Sequence, residues 1–410
     1  MNDLLVPPPI PFADVTVGEL EEAAAIFGTS TADQVRSVEN GPTNARRNPD
    51  LVYDRFFVPT GNLLVRFRNL EAAGSGAATG VDIPAILKAL GELEQAVIDE
   101  NGKQITESGL PGGTVYRRSI EKIRYWLGDP IGRRPPFPIF GKGNIKLPFW
   151  TWSTLPGVTC PGAGACLKSV DKPGKRGWCY SFSSWRYVTP WFRQLQNTIL
   201  MRLPDKSWIE KEARKKFRAG QAVRLYVDGD IDSMATLTYW MHFCERFPEV
   251  SFYGYSKSWQ LFQQWHKLHG GRWPANYQLN LSSGTKLEAV LSPEKYKAYV
   301  GSMLDLKHPT TGKHLVRGTF RALDEIASEA PKMSKTEEKR GRFLSTKKKT
   351  DRSIHEKEVL AKATELGITG DNAGKGVFVC PGYCGNCLPR GRHACGDRAF
   401  RGVAIVIGIH

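Results

Sequence analysis

The stretch AVRLYVDGDIDS, residues 222–233, decides the fold. Its first six residues form a mostly apolar run of strand length, and the acidic, glycine-bearing DGDIDS that follows reads as a turn into a helix, SMATLTYWMHFCERF. The same sequence of strand, turn and helix returns twice downstream. VSFYGYS (250–256) leads into SWQLFQQWHKLHGG, and YQLNLSS (277–283) leads into SPEKYKAYVGSMLDL, where Ser292 is placed to cap and Pro293 to occupy the first turn. The three strands begin at 222, 250 and 277, a repeat of 28 and then 27 residues. Strands alternating with helices at that interval predict an α/β protein with a parallel sheet, open or closed into a barrel. In either form the chemistry belongs at the C-terminal ends of the strands.

Working outward, LPFWTWST reads as an earlier strand, and WRYVTPWFRQLQNTILMRL as a helix with Pro190 in its first turn. Upstream, DIPAILKALGELEQAVIDE carries Ile83, Ile86, Leu87, Leu90 and Leu93 at helical spacing, and TVYRRSIEKIRYWLG forms a second helix ending at Gly128. Residues 1–140 are therefore expected to be a partly helical accessory region and 141–330 the β/α core. Residues 332–352 hold nine Lys or Arg against three acidic residues, so 331–358 reads as a basic loop or arm. Residues 359–410 are expected to contain a helix, strand GVFVC, a cysteine-rich knuckle and a last strand in VAIVIGI.

The chain of 410 residues carries a net charge of +16, and its basic residues are clustered. Nucleic acid is the commonest polyanion to match such a surface, DNA in preference to RNA here. The N-terminus, MNDLLVPPPIPF, lacks the basic-then-apolar pattern of a signal peptide, and no apolar run reaches the ~20 residues that span a bilayer. A cytoplasmic protein with no membrane partner is expected, and in a reduced compartment clustered cysteines read as metal ligands rather than disulfides.

Seven of the eight cysteines fall in two groups. Cys160, Cys166 and Cys179 are spaced C-x5-C-x12-C, and Cys380, Cys384, Cys387 and Cys395 are spaced C-x3-C-x2-C-x7-C. Short glycine- and proline-rich spacers let several sulfurs converge on one centre, and thiolate is the ligand that zinc and iron–sulfur clusters share. A four-iron, four-sulfur cluster is favoured, with zinc as the alternative. The eighth, Cys244, follows Leu237, Trp240 and Met241 on one helix face and reads as a core thiol.

Asp228 and Asp230 end the deciding strand and are candidate catalytic carboxylates; the competing reading is a turn followed by a helix cap at Asp232 or Ser233. Tyr255 and Lys257 sit at the next strand end, where an aromatic ring and an ammonium suit single-stranded nucleic acid. Arg186 and Arg193, in the aromatic-rich WCYSFSSWRYVTPWFR, and Lys347, Lys348 and Lys349 are further candidate phosphate contacts. The chain has no G-x-x-x-x-G-K-[ST] loop, no histidine–apolar–histidine triplet and no H-x-E with P-C-x-x-C. These absences argue against a P-loop motor, a rolling-circle nickase and a zinc deaminase.

Together, CPGAGAC…CY, FRQLQNTILM, VRLYVDGDIDS, FPEVSFYGYSKSW and the C-terminal CP…CGNC resemble the gene product 88 family of phages and plasmids, over about residues 140–400. The resemblance implies a mobile-element origin and cysteine-bound metal, and supplies no reaction. The position of the first cysteine group, after the first strand of the parallel sheet, is also similar to that of the cluster loop in radical S-adenosylmethionine enzymes. Trp178 precedes its last cysteine as an aromatic does there. That similarity implies an enzyme modifying a base or nucleotide, with S-adenosylmethionine as co-substrate. A non-catalytic DNA-binding replication or regulatory protein with structural zinc, and a base-exchange transglycosylase with structural zinc, are the alternatives.

Overall fold

A computed structural model describes residues 15–27, 81–98, 112–143, 149–157, 159–166, 179, 181, 188–323, 377–379, 394–396 and 404–408. In chain order these form α1 (Val17–Phe27), α2 (Ile83–Ile98), α3 (Gly112–Leu127), β1 (Gly141–Lys142), β2 (Trp150–Thr151), α4 (Val188–Arg202), α5 (Ser207–Lys216), β3 (Ala222–Leu225), α6 (Met234–Arg246), β4 (Ser251–Ser256), α7 (Trp259–Leu268), β5 (Tyr277–Ser282), α8 (Pro293–Leu304), β6 (Val316–Leu323), β7 (Val377–Val379) and β8 (Ala404–Gly408). A short 3-10 turn, Lys286–Ala289, precedes α8, and another spans Ala394–Gly396.

The sheet runs β1-β2-β3-β4-β5-β6-β8-β7, and every pairing is parallel except β1 with β2. From β2 to β6 each strand's chain successor is its spatial neighbour. With crossovers of the usual right hand, that order puts all the connecting helices on one face, as in the wall of a barrel. Ring contacts agree: Phe243 of α6 packs on Phe252 of β4 at 5.7 Å, and Phe262 of α7 stacks on Tyr277 of β5 at 6.3 Å. No pairing among the described residues joins β7 back to β1.

Local sequence explains most element ends. Asp82 accepts a hydrogen bond from Ala85 N–H (2.9 Å) and so caps α2, whose Ile86, Leu90 and Leu93 are buried. Ser233 caps α6 by accepting from Thr236 N–H, and Ser292 caps α8 by accepting from Lys295 N–H, with Pro293 at its first turn. The deciding strand stops at Leu225 rather than Val227. Tyr226 has φ +54°, a left-handed backbone that ends the ladder, and its hydroxyl accepts from Trp240 Nε1 at 2.9 Å.

The N-terminal helices are not set apart from the core. Ile120, Ile123 and Trp126 of α3 belong to the same buried cluster as Leu195, Phe252 and Leu279, and Tyr116 meets Phe192 of α4 edge-on at 6.2 Å. Lys295 of α8 pairs with Glu19 of α1 at 2.7 Å. The helix expected in IHEKEVLAKATELG, 354–367, lies outside the described residues.

Candidate metal centre and strand-end site

The first cysteine group is held by its own backbone. The Cys160 N–H donates to the Gly157 carbonyl, the Ala163 N–H to the Cys160 carbonyl, and the Cys179 N–H to the Cys166 carbonyl at 2.7 Å. Thr159 anchors the loop's base, its hydroxyl bonding the Leu155 carbonyl (2.8 Å) and the Thr154 hydroxyl (2.9 Å). The loop is then laced to the segment after β5: Gly164 N–H donates to Gly284, Lys286 N–H donates to Gly162, and Ala163 bridges Thr285. This lacing explains the glycines of CPGAGAC. A Cβ on Gly162 would lie 2.0 Å from the Lys257 carbonyl oxygen, and one on Gly164 would lie 2.6 Å from the Lys286 backbone.

Cys166 is buried, Cys160 and Cys179 are half-buried, and none of the three is in a disulfide. Burial pushes the Cys160 thiol well up, and Asp230, Cys179 and Cys166 push it further. Burial, with Cys179 and Asp230, raises Cys166 to about 11 against the pull of Lys257. Burial also raises Cys179, while Ser181 opposes. The three thiols thus lie in one another's field. Among the described residues no three His, Cys, Asp or Glu side chains stand at positions that hold a metal ion. Thiolate is the donor that zinc and iron–sulfur clusters take, so by chemistry alone these residues are the ones to test for a metal. Cys380, Cys384 and Cys387 lie outside the described residues. Cys395 is buried, and its carbonyl accepts from Asn280 Nδ2 of β5 at 3.1 Å.

Asp228 and Asp230 are both buried. Asp228 accepts from Gln194 Nε2 at 3.0 Å; burial raises its carboxyl, with Ser181, Arg224, Ser153 and Arg193 opposing. Asp230 ties two strand ends together, accepting from Ile231 N–H (2.7 Å) and Lys257 N–H (2.8 Å), and burial raises it too. Asp232 pairs with Arg202 at 2.9 Å and accepts from Thr236 Oγ1 at 2.6 Å, while Ser233 takes the helix cap.

Lys257 donates to Ser282 Oγ at 3.0 Å. Burial alone would lower its ammonium, but Cys166, Asp230, Cys179 and Cys160 hold it above the ordinary lysine range. Lys257 thus lies beside the thiol loop and Asp230. Tyr255 is half-buried and covered by the Arg224 guanidinium, 4.6 Å above its ring. Arg193 packs against Gly141; burial lowers it, with Asp228 and Glu212 opposing. Arg186, Lys347, Lys348 and Lys349 lie outside the described residues.

One polar surface escaped the sequence reading. In β3, β4 and β5 the parallel register sets Arg224 beside Tyr253, Tyr253 beside Gln278, and Tyr255 beside Asn280. Partners in register share a face, so these residues and Ser282 line the side opposite the helices. Asn280 is fully buried, yet among the described residues its Oδ1 has no hydrogen-bond partner. The alternation of Gln278, Asn280 and Ser282 with apolar residues in YQLNLSS was the available signal.

A recess of about 520 Å³ lies instead between α5 and α6, beside Lys206, Glu210, Arg214 and Arg246. Its charges are spent on one another, with Arg246 held by Glu210 at 2.8 Å.

These features define a singly wound α/β protein with a thiol-bearing loop over its strand ends. The chain belongs to the gene product 88 family, of phage type, whose model matches residues 134–363, more than half of its length. The match includes the first cysteine group and stops short of the second. No curated protein and no solved structure matches the chain. Among the described residues no helix is long and apolar enough to cross a membrane.

Proposed function

We propose that this chain is a cytoplasmic, cysteine-ligated metalloprotein, iron–sulfur in preference to zinc, that modifies a base or nucleotide of nucleic acid, DNA before RNA. The observation that carries this reading is the backbone closure of the first group, Cys179 N–H to Cys166 O at 2.7 Å, which holds Cys166 and Cys179 side by side over the strand ends. Cys160, Cys166 and Cys179 would be the ligands from this loop. A bound cluster would supply electron transfer or activation of S-adenosylmethionine. Lys257 offsets thiolate charge, and Asp230 fixes Lys257 through its backbone. Asp228, buried with its carboxyl raised, is the carboxylate we assign to proton transfer. The polar face of Arg224, Tyr253, Tyr255, Gln278 and Asn280 suits a ligand rich in hydrogen-bonding edges. The charge of +16 favours a polyanion carrying it.

Anaerobic purification with an absorption spectrum and metal analysis tests the assignment. A brown protein rich in iron and sulfide, binding oligonucleotides with a steep salt dependence, is expected. A colourless zinc protein that still binds DNA would move the reading to a non-catalytic module. A protein with neither metal would end it.

A further inference from the structure

We propose that the surface where the turn after α3 meets α5 is a docking face for single-stranded nucleic acid. Among the described residues three large apolar side chains are exposed, and two of them, Tyr125 (69%) and Ile131 (44%), lie here. The turn fastens α5 alongside, because Trp208 Nε1 donates to the Ile131 carbonyl at 2.7 Å. Each ring carries a cation. The Arg133 guanidinium lies 4.2 Å from the centre of the Tyr125 ring, and the Lys211 ammonium lies 4.5 Å from the centre of Trp208. The turn is held by its own bonds: Gly132 N–H donates to Asp129 Oδ1 at 2.9 Å, and Trp126 Nε1 donates to the Pro130 carbonyl at 3.2 Å.

Helical spacing extends each ring into a row. Arg118, Lys122 and Tyr125 follow one another at four and three residues, and Trp208, Lys211 and Lys215 at three and four, so each trio shares one helix face. Arg118, Lys122, Lys211 and Lys215 are all exposed. Residues 117–134 hold six Lys or Arg against two acidic residues, and residues 206–218 hold the same numbers. Half of the chain's +16 therefore falls in these two short segments. Three of their four acidic side chains are engaged within the fold: Asp129 with Gly132 N–H, Glu210 with Arg246, and Glu212 with Lys216.

Rings set among cations match a polymer in which bases alternate with phosphates, since an aromatic face stacks on any base while Lys and Arg meet the backbone. A duplex keeps its base faces stacked inside, so exposed rings favour an unpaired strand. The inference rests on the nucleic-acid part of the reading above and not on its metal, and it places strand capture on elements other than the cysteine loop.

The test follows binding of a fluorescently labelled oligothymidylate to the full chain by anisotropy. Tyr125→Ala, and Lys122→Glu combined with Lys211→Glu, alter exposed side chains and should leave thermal unfolding unchanged. Lys297→Glu combined with Lys313→Glu makes the same change of charge at exposed positions on and after α8. Tyr125→Ala should weaken binding about fivefold or more, and reversal of Lys122 and Lys211 about tenfold or more beyond that control pair. The loss from Tyr125→Ala should disappear on an abasic oligonucleotide, which keeps its phosphates and has no base to stack. Unchanged affinity in both variants, or an equal loss in the control pair, overturns the docking face and leaves the nucleic-acid reading standing. Tighter binding of a duplex or of polyglutamate than of the single strand also overturns it, and assigns the surface to paired nucleic acid or to an acidic protein. A chain that binds no oligonucleotide at all ends the nucleic-acid reading and the docking face with it.

Discussion

The two faces of the sheet obey different rules. On the helix side, Val223, Leu225, Phe252, Tyr277, Leu279 and Leu281 are buried among apolar and aromatic neighbours. On the other side, Arg224, Tyr253, Tyr255, Gln278, Asn280 and Ser282 occupy the alternate positions of the same three strands. A parallel sheet ordinarily buries both faces with near-continuous apolar runs. A buried polar group without a partner costs about 1–3 kcal/mol. A face that holds Asn280 with an unbonded Oδ1 is thus carrying a cost that packing does not explain. The helix face makes the fold, and the polar face, against which Cys395 packs through Asn280, is the one we propose to meet a ligand.

The sharpest way to break this contrast is to damage the helix face. Phe252 is fully buried between Phe217 and Phe243, at 6.0 and 5.7 Å. Phe252→Ala should cost about 3–5 kcal/mol in denaturant unfolding, as large-to-small changes in a packed core do. A loss under about 1 kcal/mol would mean that this face is not the core.

A smaller effect is expected where the cysteine loop meets the strand ends. Gly164→Ala drives a Cβ to within 2.6 Å of the Lys286 backbone, which cannot rotate away. A loss of about 1–3 kcal/mol should follow, together with faster reaction of Cys160 and Cys179 with a thiol reagent. Unchanged thiol reactivity would show that the lacing does not hold the loop in place.

Much of this was legible in the sequence, for physical reasons. The strands at 250 and 277 and the helices after them announce themselves because period-two and helical apolar patterns survive in single segments, and because Ser233 and Ser292 cap as serine does. Other features depend on partners remote in the chain. Strand β6, VRGTFRAL, has charges that hide it and is recruited by β5 and β8. Helix α5, SWIEKEARKK, is mostly charged and buries only Ile209 and Ala213. Tyr226 shortens β3 through a left-handed backbone that nothing in the residue type foretells. In the site, cysteine spacing located the loop, but not the role of Lys257, whose neighbours come from three separate segments.

Two cysteines separate fold from site more finely. Cys244 is fully buried in the core of α6, so Cys244→Ser places a hydroxyl in apolar surroundings and should cost about 1–3 kcal/mol while leaving metal content unchanged. Cys179→Ser, half-buried beside Ser181, should cost less than Cys244→Ser and lower metal content. Equal metal content in the two variants would remove Cys179 from the ligand set.

The smallest change in stability is expected on the polar face itself. Tyr255→Leu keeps an apolar body in β4 and loses the Arg224 contact, worth about 0.5–1 kcal/mol at a partly exposed site. It also uncovers Arg224, whose charge opposes the rise of the Asp228 carboxyl. If the face serves a nucleobase, loss of a stacking ring should weaken single-stranded oligonucleotide binding by about 1–3 kcal/mol, more than the fold loses. If binding and stability fall together by the same small amount, Tyr255 is only a lid on Arg224. The polar face would then have to be assigned to Asn280 and Gln278 alone, whose amides recognise by hydrogen bonds and need no ring.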